Sequence, residues 1–483
     1  MRAINNALWL SFSRVLADVL SFLLFVAIAR DFGPAGTGEY SYAFAIGALV
    51  ALAAGSGLEE FGIREYVRAT AAARKTVWSN LLTTQCAQLA IALSGFLLYL
   101  LLDHDRAASL AVLLELVIFQ IALTIARNLF IPAMSAQAMG TPALLELSCR
   151  VGATVIALVL VLMRTPIEFP ITLLSFPIAG AVLITLAYRN SVSHGATWRI
   201  DPRWSVLRDT WKRTAHFAGS ETLNQFYART DLLLIAYFLG QAHVGFYATD
   251  IKFVEVGIVP LVYFAVAVYP ILVAMADGPP AQFVQAARDF CRVQLMLSGW
   301  LAVGISLLIP MLIVPMFGSD FAPAAPLLPW VSLLALVKGC EIALYRLLYS
   351  VHRQSVYFRS LAVGTVVIAV LNVLLIPRSG VVGAIHATVI STACVVLINA
   401  VGLSKRVPWR VFGELLARLA AALALTWALV VVAGSVGAAP WLRTALGCCL
   451  FPAIAAIVGL LPNLGRSTLF ARPHSVPATP ATP

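Results

Sequence analysis

Charged residues are scarce in this chain, and that scarcity is the first constraint on what the protein can be. Of its 483 residues only 11% are charged, while 61% are hydrophobic. A soluble globular domain carries about 25% charged residues and about half apolar ones. No water-soluble fold could bury so much apolar surface, so the composition excludes a soluble protein and predicts a polytopic membrane protein.

Cysteine is also scarce, and its spacing fits no metal site. The seven cysteines fall in or beside apolar runs, where they are typical of small core residues. Neither a G-x-x-x-x-G-K-[ST] motif nor an H-E-x-x-H motif occurs in the sequence. We therefore expect no metal, no cofactor and no catalytic residue.

Long apolar runs, by contrast, recur along nearly the whole chain. Each has roughly the 20 residues that a helix needs to cross a bilayer. They predict an all-α integral membrane fold with about fourteen transmembrane helices. We place these spans near residues 6–30, 39–57, 80–102, 108–130, 143–164, 167–188, 214–238, 246–274, 293–316, 324–349, 356–376, 381–402, 413–434 and 441–463.

Basic residues concentrate in alternate loops, and this bias sets the expected orientation. Roughly 20 Lys and Arg lie on one side of the membrane and about five on the other. The longest and most basic loop lies within residues 189–213. By the positive-inside rule, this loop and both termini face the cytoplasm. The net charge of +11 is spread over short loops, which argues against a nucleic-acid partner.

A short glycine motif occurs at two corresponding places. Residues 33–40 read GPAGTGEY after the first span, and residues 240–247 read GQAHVGFY after the seventh, so both copies fit G-x-A-x-x-G-x-Y. Six spans separate the copies, and an even number of crossings relates them as parallel repeats. We expect two pseudo-symmetric six-helix bundles around a central cavity, with a C-terminal two-helix hairpin.

These elements define the expected domains. An N-terminal six-helix bundle covers residues 1–190, and a basic cytoplasmic linker covers 191–213. A C-terminal six-helix bundle covers 214–403, and the additional transmembrane hairpin covers 411–463. The tail at 464–483 is rich in proline and polar residues, so we expect it to be disordered in the cytoplasm.

Four stretches of the sequence carry a resemblance to a known superfamily. They are SRVLADVLSFLLFVAIARDFGPAGTGEYSYAFAI, RTDLLLIAYFLGQAHVGFYATDIKFVE, LYRLLYSVHRQSVYFRS and NVLLIPRSGVVGAIHATVIS. On these stretches the chain resembles the multidrug/oligosaccharidyl-lipid/polysaccharide (MOP) exporter superfamily. The closer likeness is to its O-antigen and exopolysaccharide flippase (Wzx-type) branch.

The resemblance implies a function and a location. It implies alternating access of two bundles that move a polyprenyl-pyrophosphate-linked oligosaccharide from the cytoplasmic to the periplasmic leaflet of a bacterial inner membrane. The expected partners are this lipid-linked substrate, membrane lipid, and a polysaccharide polymerase or other assembly proteins.

Charged residues inside the spans are the best site candidates, because a charge near the midplane costs about 2.5–3.5 kcal/mol on insertion scales. A pyrophosphate needs cations to replace its hydration shell. Amide side chains suit sugar hydroxyls. The candidates for substrate binding are Arg14, Arg150, Arg229, Lys252, Lys338, Asn224 and Gln225. The acids that could carry protons or act as counter-ions are Asp18, Asp231, Glu255 and Glu341.

A structural interpretation of the same charges stays open. Glu146 and Arg150 are four residues apart, and Lys338 and Glu341 are three apart, so each pair could neutralise itself on one helix face. Arg14 and Asp18 have the same spacing. Near a cytoplasmic helix end, an arginine such as Arg127 could snorkel to the interface instead.

Three other functions were weighed against the flippase. A polytopic enzyme of a polysaccharide pathway is disfavoured, because the expected periplasmic loops are about ten residues or shorter. A lipid II flippase and a cation-coupled multidrug exporter belong to the same superfamily. Drug exporters favour an anionic cavity, whereas the first bundle carries Arg14, Arg127 and Arg150 against Asp18 and Glu146.

Overall fold

The structure is a computed structural model that describes residues 2–102, 108–163, 168–196, 200 and 203–461. Within these ranges the chain forms seventeen α-helices and one short 3₁₀ helix. In chain order the α-helices are α1 (Arg2–Ala53), α2 (Leu58–Arg68), α3 (Ala71–Leu102), α4 (Leu110–Leu129), α5 (Ile131–Ser135), α6 (Gly140–Leu162), α7 (Phe169–Leu173), α8 (Ser175–Ser193), α9 (Trp204–Leu239), α10 (Gln241–Gly257), α11 (Val259–Ala276), α12 (Pro280–Leu307), α13 (Ile309–Phe317), α14 (Leu328–Ser350), α15 (Gln354–Leu403), α16 (Trp409–Ser435) and α17 (Pro440–Ile457). The 3₁₀ helix spans Ser319–Leu327.

Eleven helical segments in the described ranges are long and apolar enough to cross a membrane. Two of them, Leu16–Arg68 and Gln354–Leu403, each contain two of the expected spans. The seventh expected span lies in α9, whose Arg229 and Asp231 lower its hydropathy. Each of the fourteen expected spans therefore has a helical counterpart, and the prediction of an all-α integral membrane fold is confirmed.

Glycine turns explain why two long helices contain two spans each. Gly33 in α1 has φ +66° and Gly380 in α15 has φ +59°, and neither conformation is helical, so α1 and α15 are each two helices that meet at a kink. Gly240, which opens the second copy of the repeated motif, has φ +81°. Because L-residues with a side chain rarely adopt positive φ, Gly33 and Gly240 give the two copies a similar turn.

Two compact units make up the chain. The first comprises Met1–Thr249, Ile313–Ala324 and Ala369–Ala384, and its core includes the buried side chains of Ile28, Trp78 and Phe130. The second comprises Asp250–Leu312, Ala325–Ile368 and Ile385–Pro483, and its core includes Phe290 and Phe451. The domain boundaries expected from the sequence stay predictions, and the tail at 464–483 lies outside the described residues.

Candidate functional site

A polar pocket of about 120 Å³ lies inside the first unit. It is bordered by the C-terminal end of α1, the start of α2, and parts of α4 and α9. Its volume is well above the roughly 10–15 Å³ that one water needs, so the pocket can hold water. The lining side chains that carry hydrogen-bonding groups are Ser56, Glu59, Glu60, Gln120, Thr124, Arg127, Asn128, Glu221 and Gln225.

Gly57 joins α1 to α2 and holds one wall of the pocket in place. Its φ is +73°, and a Cβ at this position would lie 2.8 Å from the backbone nitrogen of Ala218 in α9. Only glycine allows both the positive φ and this close approach. The Gly57 N–H donates to Oε2 of Glu221 at 3.3 Å, which fixes that carboxylate at the pocket.

The first turn of α2 supplies two more carboxylates, those of Glu59 and Glu60. Acidic side chains at this position are favoured, because the amino end of a helix carries a partial positive charge. Together with Glu221, the pocket lining therefore contains three carboxylates and one guanidinium, that of Arg127. The pocket is therefore acidic, opposite in sign to the charge expected of the first bundle.

Arg127 is held in place by an acid from α6. Its Nη2 donates to Oε1 of Glu146 at 2.8 Å, and its Nε donates to Oε2 at 3.4 Å. Arg150 also approaches Glu146, with 3.7 Å between Nη1 and Oε1. Two arginines therefore share one carboxylate, and the guanidinium of Arg127 is oriented by a bidentate contact.

One buried amide of the pocket wall is hydrogen-bonded to a second amide behind it. Asn128 is buried, and its Nδ2 donates to Oε1 of Gln85. Gln85 in turn donates from Nε2 to the carbonyl oxygen of Ala54 at 2.6 Å. Because satisfied buried hydrogen bonds rigidify their surroundings, this chain of bonds ties α4 to the segment that follows α1.

Chemically, the pocket is rich in acceptors. Its carboxylate and amide oxygens can accept hydrogen bonds from sugar hydroxyls or bind a cation. Arg127 offers donors that suit a hydroxyl or a phosphate oxygen. Among the described residues no group of three or more His, Cys, Asp and Glu side chains could hold a metal ion.

Three of the candidates for substrate binding, Asn224, Gln225 and Arg229, lie on α9. Gln225 lines it, and Asn224 is exposed on the same helix. The guanidinium of Arg229 stands 5.7 Å from the centre of the Phe44 ring, a cation–π distance. Its Nε is buried and has no hydrogen-bond partner among the described residues.

Two lysine candidates lie in the second unit, each paired with a candidate acid of its own helix. Nζ of Lys252 lies 2.9 Å from Oε2 of Glu255, and Nζ of Lys338 lies 2.8 Å from Oε2 of Glu341. The structure thus contains the ion pair that the sequence left open for Lys338. Substrate binding by Lys252 and Lys338 stays a prediction.

The remaining candidates are dispersed within the first unit. Asp231 is buried and accepts hydrogen bonds from the hydroxyl of Tyr247 and from the N–H of Leu232, the latter at 2.8 Å. Asp18 is exposed on α1. The side chain of Arg14 lies outside the part of the chain whose side chains the structure describes.

The sequence interpretation missed the acids of the pocket. Glu59 and Glu60 are not among the candidates from the sequence, and Arg127 was interpreted there only as an arginine that could snorkel to the interface. The run Gly57-Leu58-Glu59-Glu60 directly after the second span was an available signal, because two adjacent acids stand there among basic residues. Glu221 gave no local signal, since its partner is 164 residues away.

Comparison with known proteins gives one family and one curated relative. The family model described as "polysaccharide biosynthesis protein" matches residues 3–276. A probable low-salt glycan biosynthesis flippase, Agl15, from Haloferax volcanii is 24% identical over 233 residues, which are 48% of this chain and 49% of that protein. The chain therefore spans about half the length of this relative.

Solved structures share the fold at low sequence identity. The lipid II flippase MurJ in an inward closed conformation superposes with a TM-score of 0.73 and 14% identity, over 93% of this chain and 98% of that one. An inward-facing multidrug resistance MATE family transporter of the MOP superfamily gives 0.58 and 13%, over 80% and 94%. A MOP superfamily transporter from Pyrococcus furiosus, described as having a binding pocket of reverse polarity, gives 0.54 and 11%, over 84% and 95%.

The solved structures show that the chain has the fold of transporters in the MOP superfamily, which the sequence suggested. The relative and the three structures are described as flippases or transporters, in agreement with the prediction that the chain is not an enzyme.

Proposed function

This chain belongs to the polysaccharide biosynthesis protein family, and from that premise we propose that it is a flippase for polyprenyl-pyrophosphate-linked oligosaccharide. The direction is from the cytoplasmic to the periplasmic leaflet, by alternating access. No covalent bond changes in this process. The barrier that the protein lowers is the desolvation of polar sugars and phosphates in the hydrocarbon region.

The observation that carries this proposal is the polar pocket inside a unit built from apolar helices. A lipid surrounding the helices cannot satisfy buried carboxylates and amides. A hydroxyl-rich ligand can, because each sugar hydroxyl both donates and accepts. The carboxylates of Glu59, Glu60 and Glu221 would accept hydrogen bonds from the hydroxyls, and Gln225 would offer both a donor and an acceptor.

The pyrophosphate requires cations, and among the candidates Arg229 fits that role well. Its Nε lacks a hydrogen-bond partner in the described structure, so an anion could bind it without breaking an ion pair. Lys252 and Lys338 would first have to leave Glu255 and Glu341. Arg150 shares Glu146 with Arg127 and could release one hydrogen-bonding edge to a phosphate.

We also propose a location and partners that follow from this function. The protein would lie in a bacterial inner membrane with both termini in the cytoplasm, where the lipid-linked oligosaccharide is assembled. A polysaccharide polymerase on the periplasmic side would consume the translocated product.

A deletion strain tests the function directly. It should accumulate the complete oligosaccharide on its polyprenyl carrier, facing the cytoplasm, and should lose surface polymer. Complementation with wild-type protein should restore the polymer, whereas Arg229→Gln should not, at equal protein level. Accumulation of incomplete sugars would instead indicate an enzyme.

A cation-coupled multidrug exporter is the second candidate, and the acidic pocket is the observation that favours it. Three carboxylates against one guanidinium would attract a cationic drug or a coupling ion. In that case the deletion strain would export polymer normally and become sensitive to cationic dyes. Normal dye resistance together with lost polymer would exclude this candidate.

A further inference from the structure

A second cavity, of about 460 Å³, opens beside the polar pocket in the first unit. We call it the side groove. It is lined by the end of α1, by α3, and by the amino-terminal half of α9, and most of its surface is apolar. Ser56 lines both the side groove and the polar pocket, so the two cavities are neighbours.

One buried polar side chain with an unsatisfied acceptor indicates that the side groove can bind a ligand. Gln88 of α3 lines the groove and is only 5% exposed. Its Nε2 donates to the carbonyl oxygen of Ser56 at 3.4 Å, but its Oε1 has no hydrogen-bond partner among the described residues. An unsatisfied buried acceptor costs about 1–3 kcal/mol. A ligand with a hydroxyl donor would remove that cost.

A cation stands at the other side of the same groove. Lys212 lines it and is exposed, and Trp211 beside it supplies an aromatic surface. Arg208 and Arg213 are exposed on the same stretch of α9. The groove therefore combines a hydroxyl acceptor, an apolar wall and a positive charge. That combination fits an amphiphile with a phosphate between a sugar and an isoprenoid chain.

We propose that the side groove holds the phosphate and the first isoprene units of the polyprenyl carrier while the sugars occupy the polar pocket. Lys212 contacts the phosphate, and Gln88, which is bonded to Ser56 where the two cavities meet, accepts through Oε1 from a hydroxyl of the first sugar. The lipid and sugar parts of one molecule must lie in adjacent cavities, and Ser56 lines both the side groove and the polar pocket. This is why we assign the polyprenyl carrier to the groove and not a bulk phospholipid. The assignment rests on the proposed function and names where its substrate binds.

Equilibrium binding of a fluorescent polyprenyl monophosphate to the purified full-length protein in detergent micelles tests this site. Lys212→Gln should weaken Kd about fivefold, which corresponds to about 1 kcal/mol for one exposed charge pair. Ala215→Trp, which fills the groove from an exposed position, should weaken Kd by about tenfold or more, because the apolar wall is then occupied. Lys75→Gln is the matched control, since Lys75 is an exposed lysine of the same unit outside the groove.

Two outcomes would overturn the assignment. One is unchanged binding in both Lys212→Gln and Ala215→Trp. The other is displacement of the probe by phosphatidylglycerol at equal mole fraction, which would make the groove a general site for anionic lipid. Because this measurement involves no transport, a wild-type protein that binds the probe in the groove but moves no glycan would contradict the proposed function and leave the groove assignment standing.

Discussion

The close contact between the two copies of the repeated glycine motif allows a quantitative prediction. Gly38 of the first copy and Gly245 of the second occupy the same motif position, and each packs against the backbone of the other copy. A Cβ on Gly38 would lie 1.9 Å from the carbonyl oxygen of Gln241, and a Cβ on Gly245 would lie 2.0 Å from that of Pro34. The two contacts are reciprocal, so at both glycines the backbones of the two copies lie in close contact.

Substitution of either glycine by alanine should therefore destabilise the first unit. Carbon–oxygen contacts in proteins are normally about 3.3–3.6 Å, so each added methyl is more than about 1 Å too close to a backbone atom. Overpacking of this kind costs about 1–3 kcal/mol, and more where the backbone must move. We expect Gly38→Ala and Gly245→Ala each to lower the thermal unfolding midpoint clearly, and the double variant to lower it further.

Gly95→Ala provides the control for this measurement. Gly95 lies within α3, and apart from the adjacent backbone of its own helix no atom lies within 4 Å of the position that its Cβ would occupy. Alanine there should be neutral or stabilising by about 0.5–1 kcal/mol, because it removes backbone freedom from the unfolded chain. The assay is intrinsic fluorescence during heating in detergent. Melting of the Gly38 and Gly245 variants at the temperature of the Gly95 variant would refute the reasoning.

Two further predictions concern buried acids and topology. Asp250 is fully buried, and neither of its carboxyl oxygens has a hydrogen-bond partner among the described residues, so Asp250→Asn should leave the unfolding midpoint unchanged or raise it. Asp231→Asn should lower the midpoint, because the Asp231 carboxylate accepts from Tyr247 and Leu232; equal effects of the two variants would contradict this. A phosphatase that is active only in the periplasm, fused after Arg213, should be inactive in cells, and strong activity would reverse the orientation.

Much of the fold could be predicted because it depends on local signals. Runs of about 20 apolar residues fix the spans, and the glycines at 33 and 240 predict turns at corresponding places. The boundary between the spans near 356–376 and 381–402 could also be predicted, because the helix is interrupted at Gly380, where φ is +59°. Pro377 and Gly380 are the local signals for this break.

The candidate site could be predicted only in part, for a different physical reason. A charge inside a span draws attention because of its cost in the membrane, and this criterion selected Arg229 and Asp231. The polar pocket instead depends on contacts between distant segments. Glu221 meets Gly57 across 164 residues, and Arg127 meets Glu146 on another helix. No periodicity in a single sequence records such pairs, so the acidic lining became visible only in three dimensions.

Reconstituted transport tests the central claim most directly. The purified protein is placed in liposomes whose inner and outer leaflets both contain a lipid-linked oligosaccharide, and an added glycosidase digests only the sugars on the outside. Without protein, digestion should stop at about half of the substrate, because polar head groups do not cross the bilayer unaided. With wild-type protein it should go to completion, and Arg229→Gln should fall back toward half. Digestion that stops at half with well-folded wild-type protein would contradict the flippase account.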